Sequence, residues 1–261
     1  MKDTLTASVL LIGDELLSGS IKDENLAHIA KTLEQRGIRV RESRIVPDIE
    51  SEIVAAVNAM RARYDYVFTT GGVGPTHDDI TSDSIAAAFG VKNVVQQPVF
   101  DLIEGYLHAK GKEFTLAAQR MAYAPEGAEI IHSKDSIVPG YRIENVYVMA
   151  GVPRIMQMML GAIVETLPIG KPVISREVHA NVSEGEIAAD LEKIQLAHPE
   201  ISLGSYPQDT NSQRSNYRVV FVVRGTDTDE ISQVCTDILN ACNAGSYEAI
   251  CQDAICQDAI G

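Results

Sequence analysis

Two rhythms of apolar residues alternate along the first 166 positions. "TASVLLI", residues 6–12, has the length and apolar density of a buried strand. "ENLAHIAKTLEQRG" then places Leu26, Ile29, Ala30 and Leu33 at i, i+3, i+4 and i+7, with Gly37 where a helix C-terminus favours glycine. "IRVRESRIV" alternates as a strand, and the stripe Ile49, Ile53, Val57, Met60 predicts a second helix. "DYVFTT" is another buried strand and runs straight into glycines. Strand, helix, strand, helix, strand predicts a mostly parallel sheet with right-handed crossovers and helices on both faces. Ligands of such sheets bind at the carboxyl ends of the strands. Both "IGDELLSG" and "TTGGVGPTHDD" fall at such ends.

Further on, "PVFDLIEGYLHAKG" and "FTLAAQRMAY" read as helices, followed by "AEIIH", "IVPGYRIE" and the strand, turn and helix of "VYVMAGVPRIMQMMLGAIVETL". The two prolines and glycine of "LPIGKP", residues 167–172, mark a domain boundary, giving a first domain over 1–168. Residues 171–245 then read strand, helix, strand, strand, helix, a small α+β unit of ferredoxin-like or KH-like type. Residues 246–261, with their tandem "CQDAI", read as a frayed tail.

Composition narrows the function classes. A hydrophobic fraction of 45% and a charged fraction of 22% are those of an ordinary globular protein. The N-terminal apolar run is too short for a signal peptide, since Asp14 and Glu15 follow at once, and no run reaches the roughly 18 apolar residues of a membrane span. The net charge of −14, acidic in both halves, argues against a nucleic-acid partner, because phosphate-backbone affinity rests on Lys and Arg. The second unit also lacks a G-x-x-G loop. All four cysteines lie beyond Val234 without a C-x-x-C pair, which fits a reducing cytoplasm better than a zinc site or a disulfide framework.

Chemistry concentrates in "TTGGVGPTHDD". Gly71, Gly72 and Gly74 remove the Cβ atoms that hold a backbone away from a ligand, and they reach conformations that gather N–H groups into an anion-binding nest. A tight strand-to-helix turn is the bland alternative. Asp78 and Asp79 sharpen the choice, because a helix cap accounts for one of them and not both. A carboxylate beside a phosphate is repulsive unless a divalent cation lies between. The pattern therefore predicts a metal-bridged phosphate site with Mg²⁺ or Mn²⁺.

A second loop, "GDELLSGSIKDEN", supplies Asp14, Glu15, Asp23, Glu24 and Asn25; Asp23 or Asn25 could simply cap the next helix, whereas Glu15 follows the buried strand directly. A third loop, "AGVPR", brings Gly151, Pro153 and the cation Arg154, which could equally decorate a helix start. His77 reads as a solvated loop histidine, and no Ser, His, Asp set has defensible spacing.

Taken in order, "GDELLSG" (13–19), "TTGGVGPTHDDITSDSIAAAFG" (69–90), "PEGAEII" (125–131) and "PGYRIENVYVMAGVP" (139–153) resemble the N-terminal domain of competence/damage-inducible protein A (CinA), within the molybdopterin-binding MoaB/Mog superfamily. The resemblance spans residues 6–168 and extends toward 245. It implies an α/β fold, a three-layer α/β/α domain with a mostly parallel sheet, followed by a small KH-like α+β domain. It also implies that Gly71, Gly72 and Gly74, with Thr70, cradle phosphate; that Asp79, Glu15 and, in second rank, Asp78 are the catalytic carboxylates, with Asp79 and Glu15 holding the metal; and that Asp14, Asn25, Gly151 and Pro153 complete the crevice. The expected activity is metal-dependent hydrolysis of a nucleotide pyrophosphate such as ADP-ribose. The rivals are a non-catalytic module binding molybdopterin or a nucleotide, and a purely structural protein; relatives are oligomers, and a homodimer is expected here. Relatives often carry a C-terminal deamidase acting on nicotinamide mononucleotide, which this chain ends too soon to include, so deamidation is not expected. "AGVP" replaces a common G-P-P run, and Val73 stands where molybdopterin-inserting relatives commonly have Thr.

Overall fold

Alternation along the first strand, β1 (Leu5–Ile12), sets the layering: Ala7, Val9 and Leu11 enter one buried cluster, while Leu10 and Ile12 enter another on the opposite face. The computed structural model describes residues 5–133, 137–208 and 217–253. Two units divide the chain, Met1–Lys171 and Pro172–Gly261.

In the first unit β1 is followed by a single turn α1 (Asp14–Leu17), α2 (Asn25–Gln35), β2 (Ile38–Val46), α3 (Glu50–Arg61), β3 (Tyr66–Thr70) and α4 (Thr81–Phe89). An excursion comes next: β4 (Asn93–Val95), α5 (Gln97–Ala109), α6 (Leu116–Arg120) and β5 (Tyr123–Pro125), in which β4 and β5 pair with each other. The unit closes with β6 (Glu129–Ile131), β7 (Gly140–Ile143), β8 (Val146–Met149) and α7 (Pro153–Thr166). The main sheet has the order β2-β1-β3-β8-β7-β6. Its first four strands are parallel neighbours, and β8, β7 and β6 pair antiparallel.

Ile29 and Leu33 of α2 and Met156, Met159, Leu160 and Ile163 of α7 cover one face of this sheet. Ile53, Val57 and Met60 of α3 and Ile85 of α4 cover the other. Each such fully buried aliphatic side chain contributes on the order of 1.5–3 kcal/mol of transfer free energy. The result is the expected three-layer α/β/α arrangement. Ile49 departs from the predicted stripe: it is the N-cap of α3 and 52% exposed, because the helix begins only after Pro47. The excursion has its own small core of Val99, Ile103 and Ala122, with Phe100, Phe114 and Met121 packed against it.

The second unit runs β9 (Ile174–Ala180), α8 (Glu184–Ala197), β10 (Ser202–Pro207), β11 (Val219–Gly225), α9 (Thr228–Ala244) and β12 (Ala249–Asp253). Its sheet, β10-β11-β9-β12, is antiparallel throughout. This βαββαβ order is ferredoxin-like, and it decides against the KH-like alternative. Residues 249–253 pair with β9, so the tail expected over 246–261 contributes a strand; residues 254–261 lie outside the described residues. Cys235 and Cys242 are buried in the core of this unit, and Cys251 is exposed.

Candidate functional site

Strand adjacency gathers the motif loops. β1, β3 and β8 are neighbours, with Leu11 opposite Thr70 and Thr70 opposite Met149, so the loops after Ile12, Thr70 and Met149 leave the sheet side by side. They line a cavity of about 490 Å³. That volume lies within the roughly 300–1,000 Å³ of small-molecule sites.

The glycines play different parts. Gly71, at φ +109, donates its N–H to Met149 O, and a Cβ there would lie 1.9 Å from Ile12 O. Its amide is therefore spent on joining β3 to β8, which corrects the expectation that it faces phosphate. Thr70 is corrected likewise: its hydroxyl donates to Ala150 O at 2.8 Å and accepts from Asn25 Nδ2 at 2.9 Å. Gly72, at φ +61, is held by Thr81, whose N–H donates to Gly72 O and whose hydroxyl donates to Gly71 O. Among the described residues the amides of Gly72, Val73 and Gly74 meet no protein acceptor, and all three residues line the cavity.

Asn25, the first residue of α2, ties the loops together. Its Nδ2 donates to Thr70 Oγ1 and, at 2.7 Å, to Gly151 O. Because the Thr70 hydroxyl proton already goes to Ala150 O, these partners fix which end of the carboxamide is the donor. Asn25 Oδ1 is then buried without a partner, in a residue that lines the cavity. Asp23 caps α2 through the N–H groups of Asn25 and Leu26. Gly151 comes so close to Gly71 that a Cβ would lie 3.1 Å from its Cα, and Pro153 opens α7 on the cavity wall.

The adjacent aspartates separate. Asp79 lines the cavity, and its Oδ2 accepts from the Thr76 N–H at 2.8 Å and from the Thr76 hydroxyl. The loop thus accounts for Asp79 without a metal, contrary to the reasoning that only a cation explains the pair. Asp78 is exposed, 3.7 Å from His77, and belongs to no cavity wall among those described. Glu15 lines the same cavity as Asp79, its carboxylate folded over Gly13. Asp14 is exposed and donates its N–H to Asp48 Oδ2. Arg154 is exposed at the start of α7 and does not reach the wall.

Three contributors escaped the sequence reading. Asp48 follows β2, and burial raises its pKa, with the charges of Glu15, Asp14 and Asp78 adding to the effect. A single Asp after a strand carries no signature, although its position at a strand end was the available clue. Lys22 lines the cavity as a cation from the same loop as Glu15. Leu16, Ile21, Val152 and Ile155 give the cavity a broad apolar wall.

Among the described residues no three His, Cys, Asp or Glu side chains converge as a metal-binding group. Mg²⁺ and Mn²⁺ do not need such a cage, since one or two carboxylates with water and phosphate oxygens suffice. The donors present, Glu15 and Asp79, fit that open mode. Among the described residues no helix is long and apolar enough to cross a membrane.

Residues 8–169 match the family described as a probable molybdopterin binding domain, and residues 172–249 match the middle domain of FAD synthase. A protein of Archaeoglobus fulgidus is 33% identical over 200 residues, covering 77% of this chain and 85% of its own length. A CinA-like protein of Desulfosudis oleivorans is 38% identical over 160 residues, which are 60% of this chain and 39% of that longer protein. The crystal structure of the protein CinA, of unknown function, from Thermoplasma acidophilum superposes with a TM-score of 0.57 at 28% identity, covering 63% of this chain and 98% of that one. With three motif loops meeting on one mostly parallel sheet and this run of relatives, the chain belongs to the probable molybdopterin binding domain family, in its CinA-type branch.

Proposed function

We propose that the crevice hydrolyses a nucleotide pyrophosphate, with ADP-ribose the favoured substrate. The observation that carries this reading is the coexistence, in one cavity, of three uncommitted amides at Gly72–Gly74 with the carboxylates of Glu15 and Asp79. Phosphate would lie on the amides, with Lys22 as a second cation, and the flat base against the apolar wall of Leu16, Ile21 and Ile155.

Asp79 and Glu15 are the residues that would hold Mg²⁺ or Mn²⁺. When bound, such an ion supplies charge neutralisation and a water of lowered pKa. In the chemical step the oxygen of a water bonds to one phosphorus, the bridging P–O bond breaks, and its electron pair leaves on the second phosphate. The amides of Gly72–Gly74 meet the charge that develops on the phosphoryl oxygens. The proton lost by the water passes to Glu15, whose carboxylate accepts no hydrogen bond among the described residues, whereas Asp79 is already engaged by Thr76.

The test is AMP release from ADP-ribose with and without Mn²⁺, in the native chain and in Asp79→Asn and Glu15→Gln. Metal-dependent release that falls at least about 100-fold in either variant is expected, as for loss of an electrostatic or proton-transfer group. Intact ADP-ribose and FAD under every metal would overturn the hydrolase. The family description and the broad apolar wall would then favour a non-catalytic site for a pterin phosphate.

A further inference from the structure

The edge of a sheet is a template for one more strand, and folded proteins guard it with bulges, charges, prolines or shortness. Three of the four edges of the two larger sheets are guarded in this way. β2 carries a register shift against β1 and the arginines Arg39, Arg41 and Arg44. β6 is three residues long, and β10 contains Gly204 and ends in Pro207. The fourth edge, β12, is open. It pairs with β9 without a shift, from Ala249 opposite Ala180 to Asp253 opposite Arg176. It contains no Lys, Arg or Pro, and its single charged residue, Asp253, stands at its last position. Among the described residues no strand lies on its outer side, and Cys251 within it is exposed.

The sequence supplies a strand for that edge. β12 is AICQD, and residues 254–258, which lie outside the described residues, repeat it letter for letter. A segment that makes a strand in this fold is thus followed at once by its own copy. Along β12 of the same chain that copy has no room, since even a two-residue hairpin loop would take Asp253 out of its pairing with Arg176. A second molecule meets no such constraint.

We propose that β12 is a self-association edge: residues 254–258 of a second copy add to it as an antiparallel strand, and the β12 of that copy receives the same residues in return. The pairing is self-complementary, as a two-fold axis requires. With the axis between Asp253 and Ala254, Ala249 stands opposite the partner's Asp258, Ile250 opposite the partner's Gln257 and Cys251 opposite the partner's Cys256. Residues directly opposite share a face of the joined sheet. Cys251 shares its face with Ala249, which packs on the helix-covered side, whereas Cys256 comes five residues later and takes the other face. The helices of the two copies therefore lie on opposite sides of the joined sheet and do not collide. Association through this edge is independent of any chemistry at the crevice.

The test uses the full chain, sedimented in reduced form and then oxidised with diamide, which takes two electrons and two protons from a facing pair of thiols. The native protein is expected to sediment at twice the 28.3 kDa of one chain and to oxidise to a covalent dimer on a non-reducing gel. Cys251→Ser and Cys256→Ser are each expected to lose that covalent dimer alone. Mixed before oxidation they regain it, because the mixture restores one Cys251 and Cys256 pair across the axis. Deleting residues 254–258 is expected to halve the sedimenting mass and leave thermal unfolding unchanged, since β12 keeps its pairs with β9. A native chain that sediments as a monomer, with or without a disulfide inside the chain, overturns the proposal. So does a dimer that survives the deletion, or a covalent dimer formed by either single variant alone, because each places the contact elsewhere.

Discussion

Two glycines three residues apart illustrate how differently one residue type is used. At Gly71 a Cβ would lie 1.9 Å from the backbone carbonyl of Ile12, at a φ that L side chains avoid. Neither strand can retreat, since β1 and β3 are paired along Ala7–Leu11. Gly71→Ala is expected to destabilise the first unit by about 3 kcal/mol or more, read by urea unfolding. Gly74→Ala meets only the Asp79 carboxylate, at 2.6 Å, and that side chain can swing aside. It is expected to cost less than about 1 kcal/mol of stability while weakening ADP-ribose binding. Equal stability losses in both would refute the distinction. The sequence shows the three glycines as equivalents, because the partner that commits the Gly71 amide, Met149 O, lies at the end of a strand 78 residues further on. The position of Glu15 on the cavity wall was legible from its place just beyond a buried strand. The quenching of Asp79 by Thr76 was not, since a contact three residues back depends on the loop's path and not on its composition.

At the scale of elements, long periodic segments were legible and three-residue strands were not. α2, α3 and α7 show apolar stripes over several turns, and β1 and β3 are apolar runs buried on both faces. β4, β5 and β6 are too short to carry a period and exist because tertiary partners complete them. The edge strand β2, paired with β1 along Ile38–Val46, is held by side chains as well. Glu42 accepts from the Tyr64 hydroxyl at 2.6 Å, from Arg44 Nε at 2.6 Å and from Arg63 at 3.3 Å. The Tyr64 bond, then the Arg44 bond, lowers the Glu42 pKa. A carboxylate whose folded pKa is depressed stabilises the fold above its unfolded value of about 4.3, and that contribution disappears as pH falls through the folded value. Glu42→Gln is therefore expected to cost about 1 kcal/mol at pH 7. The gap to the native protein should close as pH drops below about 4. Thermal unfolding of both proteins across that range checks the sign, and a gap that widens in acid would refute it.

At the scale of the whole molecule, the two units keep separate cores. The buried cluster of the second unit runs from Val178 to Cys242, and the three clusters of the first lie between Ala7 and Leu167. Every residue lining the cavity falls between Leu11 and Ile155. A domain with its own core can fold alone, and a site whose walls all come from one such domain needs nothing else for its geometry. Residues 1–171 produced alone are accordingly expected to unfold in one cooperative transition. They are also expected to release AMP from ADP-ribose with kcat/KM within about threefold of the full chain, a difference of well under 1 kcal/mol in transition-state stabilisation. A fragment that folds but loses turnover by tenfold or more would mean that the ferredoxin-like unit supplies part of the active arrangement, through groups that the cavity walls do not include. A fragment that fails to fold would mean that the boundary near Lys171 separates two cores without separating two folding units.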